Sequence, residues 1–245
     1  MRVKLVVAYD GTNYKGWQVQ PNGVTIEEKL NEALSHLFKT SINVIGASRT
    51  DSGVHSLGNV CIFDVDTRMP AEKICFALNQ RLPEDIVVID SSKVADDFHP
   101  RFVKSKKVYE YRILNRKFPD PTRRLDTHFY YYDLDVEKMK EAAKHLEGEH
   151  DFKSFCAANA QVKTTVRTVY ACEVIKIDDI ITIRVTGNGF LYNMVRIIAG
   201  TLIKVGSGDI QPDEIKDIIE HKDRSYAGPT APAKGLTMIS WEEEK

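Results

Sequence analysis

Twice along this chain the same order of elements is legible: strand, helix, strand, strand. In the first round Val3, Leu5 and Val7 alternate with Lys4, Val6 and Ala8, the two-residue period of a strand. Thr25-Ile26-Glu27-Glu28 then opens a helix as a capping box, and Ile26, Leu30, Ala33, Leu34 and Leu37 give that helix one apolar face. Residues 42–47 and 58–65 read as strands around the polar segment 48–56. A helix over 70–79 and a strand over 85–89 complete the round. In the second round residues 108–113 alternate cleanly, with Tyr109, Tyr111 and Ile113 on one face. A helix is expected over about 135–146 with Gly148 just past its end, then strands over 166–177 and 180–187 joined across Asp178-Asp179. Residues 190–205 read as a strongly apolar helix closed by Gly206, 212–220 as a short amphipathic helix with Pro212 in its first turn, and 236–241 as the last strand. Hairpin-like spacings favour antiparallel pairing, because a parallel crossover needs about a dozen residues or more. The expected class is therefore α+β, in two halves over about 1–103 and 104–245. No Pro-, Gly- or Ser-rich linker separates the halves, so their sheets are free to run together into one.

Composition narrows the function classes. With 42% hydrophobic and 28% charged residues over 245 positions, the chain carries enough apolar material for a core and is neither disordered nor collagen-like. No apolar run approaches the roughly 18–20 residues of a membrane-spanning helix. The opening Met1-Arg2-Val3-Lys4-Leu5 reads as the start of a strand rather than an export signal, so a cytoplasmic protein without membrane attachment is expected. Cys61, Cys75, Cys156 and Cys172 lie far apart with no CxxC or zinc-knuckle spacing, and are expected as small hydrophobes in a reducing compartment. The net charge is −1, but between Arg101 and Arg124 nine basic residues face only Glu110 and Asp120. Charge segregated in this way lets a near-neutral protein bind a polyanion on one face, although a solvated basic loop has the same composition.

Three places depart from an ordinary soluble domain. The first is Gly46-Ala47-Ser48-Arg49-Thr50-Asp51-Ser52-Gly53-Val54-His55, which sets an arginine, an aspartate and a histidine within seven positions between two apolar strands. Asp-Ser-Gly is ordinary turn chemistry, but Arg49 two residues before Asp51 would share its face on an extended segment. A neighbouring guanidinium keeps a carboxylate ionised, and an ionised carboxylate in a dry pocket is a nucleophile or a base. The second is the pair Tyr109 and Tyr111 within the basic stretch, either core aromatics or a stacking platform for a base beside phosphate-binding lysines. The third is Arg196, set in the apolar Phe190-Leu191-Tyr192-Asn193-Met194-Val195-Arg196-Ile197-Ile198. A buried arginine either snorkels to an edge or pairs with a buried acid, for which Asp51 is one candidate. His55 and His99 form no tight metal-ligand set with the acids around them.

These residues resemble the tRNA pseudouridine synthase A (TruA) family. Residues 48–56 are similar to its GRTDAGVHA signature, and residues 9–18 to its opening YDGxxYxGWQ. Residues 97–102 with 107–111 are similar to FHARF and RxYxY, 190–196 to FLHHMVR, and 230–236 to TAPxxGL. The five matches run in order along nearly the whole chain. Ser48, Ser52 and Ser56 stand where the family has Gly or Ala, and Tyr192-Asn193 where it commonly has His-His.

The resemblance implies a pseudouridine synthase fold, with two RRM-like halves forming a continuous, mostly antiparallel sheet flanked by helices and the active cleft between them. It implies an isomerase that converts uridine to pseudouridine at positions 38, 39 and 40 of the tRNA anticodon stem-loop, without cofactor or metal, as a homodimer. By the same likeness Asp51 is the catalytic carboxylate, with Arg49 and Arg196 as its catalytic support and Tyr109 as the tyrosine that packs on the uracil. The 1–103 half then carries the catalytic Asp loop and the 104–245 half completes the cleft. Three other readings stay open: a non-catalytic RRM-like RNA-binding protein, a metal-dependent hydrolase on Asp51, His55 and His99, and a family member acting at other tRNA positions.

Overall fold

Alternation along Arg2–Tyr9 makes β1, with Val3, Leu5, Val7 and Tyr9 buried and the residues between them half-exposed. This strand belongs to the first of two units in a computed structural model that describes residues 1–157 and 162–244. The first unit is Met1–Lys104 with Met238–Lys245, and the second is Ser105–Thr237.

In the first unit β1 is followed by α1 (Ile26–Phe38), whose capping box is present: Thr25 accepts from the Glu28 N–H, and Glu28 reaches back to the Thr25 N–H. Then come β2 (Ile45–Gly46), β3 (His55–Asp64), α2 (Ile74–Asn79) entered through a 3₁₀ turn at Ala71–Lys73, and β4 (Ile86–Val94). β1 pairs antiparallel with both β3 and β4, and the C-terminal β10 (Leu236–Glu243) neighbours β3. Val3, Leu5 and Val7 meet Ile26, Leu30 and Leu34 of α1 and Ile74 and Leu78 of α2 in one core. The strand expected over 42–47 shrinks to two residues. Side chains of α1 take its backbone donors: Ser35 Oγ accepts from Ile42 N and Asn31 Oδ1 from Val44 N. A ladder cannot form where its N–H groups are already spent.

The second unit runs β5 (Ser105–Asn115), β6 (His128–Tyr130), α3 (Val136–Lys144), β7 (Gly148–Asp151), β8 (Val166–Ile177), β9 (Ile180–Gly187), α4 (Met194–Gly206) and α5 (Glu214–His221). Its strand order is β5-β9-β8-β7, all antiparallel, with β6 parallel to the end of β5. The expected hairpin across Asp178-Asp179 is present, with Asp178 left-handed at φ 51°. Tyr111, Ile113, Ile181, Ile183 and Val185 are buried, as are Ile197, Ile198 and Leu202 of α4. The class is α+β in both units. β6 and β7 have no counterpart in the sequence reading, being three and four residues long and largely polar or aromatic.

Several expected helix ends move. α4 starts at Met194 rather than 190, because Asn193 adopts φ 60°, outside the helical region, and the Met194 N–H closes a turn on Leu191. Gly206 does not close that helix but is its last residue. A methyl there would meet Met139 Sδ at 2.8 Å, so the glycine lets α3 and α4 approach, and the left-handed glycine is Gly208 at φ 86°. α5 begins at Glu214, with Pro212 two residues upstream. All four cysteines are buried thiols.

Candidate active site

The Asp51 segment joins β2 to β3 and is cradled by the loop after β1. Trp17 N donates to the Thr50 carbonyl at 3.1 Å, and Gly53 N to the Tyr14 carbonyl at 3.2 Å. Ser52 Oγ donates to the same Tyr14 carbonyl at 3.2 Å. The backbones touch so closely that only glycine fits: a methyl on Gly16, where φ is 87°, would lie 2.4 Å from the Thr50 oxygen, and one on Gly11 2.0 Å from the Val54 oxygen. The two motifs at residues 9–18 and 48–56 are therefore one packed structure.

Along 48–51 the chain alternates. Ser48 and Thr50 are buried, Arg49 is exposed and Asp51 is half-buried. The inward pair is pinned from below: Tyr9 Oη lies 2.8 Å from Thr50 Oγ1, and Asn59 Nδ2 donates to the Ser48 carbonyl at 3.1 Å. Burial pushes the Tyr9 phenol up to about 12, so it stays protonated. Nδ1 of buried His55 lies 3.1 Å from Gly11 N and 3.0 Å from an Asp10 oxygen. It accepts from the Gly11 N–H, and with Asp10 beside it this ties β3 to the cradle loop. Burial pushes the Asp10 carboxyl up, but the Thr12 hydroxyl and N–H together with His55 outweigh it and hold Asp10 below the usual carboxylate range. His99 stacks on Phe102 at 4.2 Å and its Nδ1 accepts from Arg101 N. Among the described residues no three His, Cys, Asp or Glu side chains gather as metal ligands, so the grouping of Asp51, His55 and His99 has no metal geometry.

In the second unit Tyr109 is buried on β5 and meets Phe190 edge-on at 5.2 Å. Tyr111 is wholly buried and donates to the Pro232 carbonyl at 2.9 Å, and burial raises its phenol pKa. Arg196 is half-buried on α4. Its Nε donates to the Ala231 carbonyl at 2.8 Å and its Nη1 to Asn193 Oδ1 at 2.8 Å, while its own carbonyl accepts from Ala231 N. The guanidinium is thus aimed by its own unit. Gly200 and Gly228 allow this segment to lie on the helix backbone, since a methyl on Gly200 would meet the Pro229 oxygen at 1.8 Å. Asn193 and Asn59 escaped the sequence reading. The signal for each was a lone amide within an apolar run.

The basic stretch is less available than its count suggests. Arg112 pairs with Glu110 and Asp126, Arg116 with Asp120 and Asp179, and Arg123 with Asp120. Arg101 Nε donates to the Gly46 carbonyl at 2.7 Å, bracing β2 at the foot of the Asp51 segment. No helix among the described residues is long and apolar enough to cross a membrane.

Comparison with known proteins identifies the family. The sequence model of a family described as tRNA pseudouridine synthase matches residues 5–103 and 142–242. The chain is 51% identical to the tRNA pseudouridine synthase A of Thermoanaerobacter sp. (strain X514), over 97% of each chain. It is 48% identical to the protein of the same name from Bacillus subtilis (strain 168), again over 97% of each. Matched over both its units and along almost its full length, the chain belongs to the tRNA pseudouridine synthase family.

Proposed function

We propose that this protein isomerises uridine to pseudouridine in the anticodon stem-loop of tRNA, at positions 38, 39 and 40. The observation that carries the reading is the Asp51 segment, a half-buried carboxylate on a loop locked from beneath, in a chain of this family. In the reaction the C1′–N1 bond breaks, the uracil turns within the site, and C5 bonds to C1′ as its proton leaves and N1 gains one. Asp51 is the carboxylate that acts on the nucleoside, and Tyr109 packs on the uracil. Arg196 is a supporting cation of the reaction, a role that the clamp from Asn193 and Ala231 supports by holding the guanidinium in one orientation. Arg49 is exposed, which supports a contact with the phosphodiester of the extruded nucleotide. Extruding a stem uridine costs a few kcal/mol, offset by backbone contacts and stacking.

The reading includes a homodimer that needs no metal or cofactor and works in the cytoplasm, where four buried thiols are chemically at home. The test is tritium release from tRNA labelled at C5 of uridine, with EDTA present. Wild type should release tritium and Asp51→Ala should not, while both bind tRNA with similar affinity. Carbodiimide treatment and primer extension should then map the product to positions 38–40. A folded wild type that binds tRNA yet releases no tritium would favour a binding module instead.

A further inference from the structure

Beneath the Asp51 segment runs a chain of buried hydrogen bonds that the chemistry above does not use. Tyr9 ends β1 and is 5% exposed, and Asn59 in β3 is fully buried. Asn59 Oδ1 accepts from Val60 N at 3.0 Å, which sets the orientation of its amide. Its Nδ2 then donates to the Ser48 carbonyl at 3.1 Å and towards Tyr9 Oη at 3.4 Å. An amide nitrogen only donates, so Tyr9 Oη accepts from Asn59, and it shares a second hydrogen bond with Thr50 Oγ1, 2.8 Å away.

An asparagine at this place is costly. Its strand neighbours Val60, Cys61, Ile62 and Phe63 are all buried and apolar, and a buried amide is tolerated only when bonded. It bonds Ser48 directly and reaches Thr50 through Tyr9, and these are the two residues that alternate with Arg49 and Asp51. Ser48 is held through its carbonyl, and Thr50 through its carbonyl by Trp17 N and through its hydroxyl by Tyr9. With 48 and 50 pinned inward, the side chains of 49 and 51 have one direction left. We propose that Tyr9, Thr50 and Asn59 are positioning residues that aim the Asp51 carboxylate. The proposal rests on Asp51 being the catalytic carboxylate.

Tyr9→Phe and Thr50→Val each delete one hydroxyl at nearly constant volume, and Thr50→Ser keeps it. Single-turnover tritium release, tRNA affinity by filter binding and thermal midpoint are measured for each. Tyr9→Phe and Thr50→Val should slow release by about ten- to a hundredfold, the scale of a small misplacement of a reacting group. Their tRNA affinity should stay within about twofold, and Thr50→Ser should recover most of the rate. Rates at the wild-type level in both deletions would overturn the proposal. A loss of affinity that matches the loss of rate would also overturn it, as would a Thr50→Ser as slow as Thr50→Val. If Thr50→Val fails to fold, Tyr9→Phe beside Thr50→Ser decides. If neither deletion folds, the chain is structural and the positioning role is wrong. A wild type without tritium release is a different failure, because it overturns the functional reading and takes the positioning roles with it.

Discussion

One added carbon does the most damage where two backbones touch. Gly16→Ala would place a methyl 2.4 Å from the Thr50 oxygen at a residue whose φ is 87°. Gly208 has nearly the same φ, 86°, but nothing within 4 Å of its missing Cβ. Gly208→Ala should therefore cost only the left-handed strain, about 1–2 kcal/mol, whereas Gly16→Ala should cost about 3 kcal/mol or more. Urea unfolding of the two variants checks the ordering. Gly16→Ala should also slow tritium release, since the displaced carbonyl belongs to the residue before Asp51. The glycines near Asp51 were visible in the sequence as a polar, glycine-bearing loop. That Gly11 and Gly16 serve the Asp51 segment was not, because a close approach to Val54 and Thr50, far along the chain, leaves no local pattern.

Elements held by a few polar groups answer to pH and to single caps. Thr25 is fully buried at the start of α1, so Thr25→Ala should cost about 1 kcal/mol in denaturant unfolding without changing the rate. Asp151 caps the 3₁₀ turn at Phe152–Phe155 and meets Thr165 and Lys222. The Thr165 hydroxyl first, then Lys222 and the Lys153 N–H, hold its carboxyl below the usual range against a smaller effect of burial. A depressed carboxyl contributes stability above its unfolded value near about 4 and loses it as pH falls through the lower folded value. Asp151→Asn should thus flatten the decline of the thermal midpoint below about pH 4, measured by circular dichroism, and lower it at neutral pH. Periodicity and capping made most elements legible, including α1 and the β8–β9 hairpin. Residues 42–47 misled because their N–H groups go to side chains of a preceding helix, which no strand pattern records.

For the protein as a whole, substrate affinity should be less salt-dependent than its basic stretch implies. If all nine basic residues met phosphates, the slope of log affinity against log salt would approach about −8. Arg112, Arg116 and Arg123 are already paired with carboxylates, so titration between low and physiological salt should give no more than about −5. Sedimentation equilibrium should return twice the chain mass of 27.8 kDa for the proposed homodimer.

By itself the sequence determined the α+β class, the order of most elements and the segments proposed to carry chemistry. Those follow from periodicity, capping and runs of charged residues, all of which act over a few neighbouring positions. Tertiary structure alone decided which carbonyl aims Arg196, which amide pins Ser48, and which arginines are spent on carboxylates. Each of those depends on residues distant in sequence meeting at hydrogen-bond distance, where a few tenths of an ångström separate a bond from none.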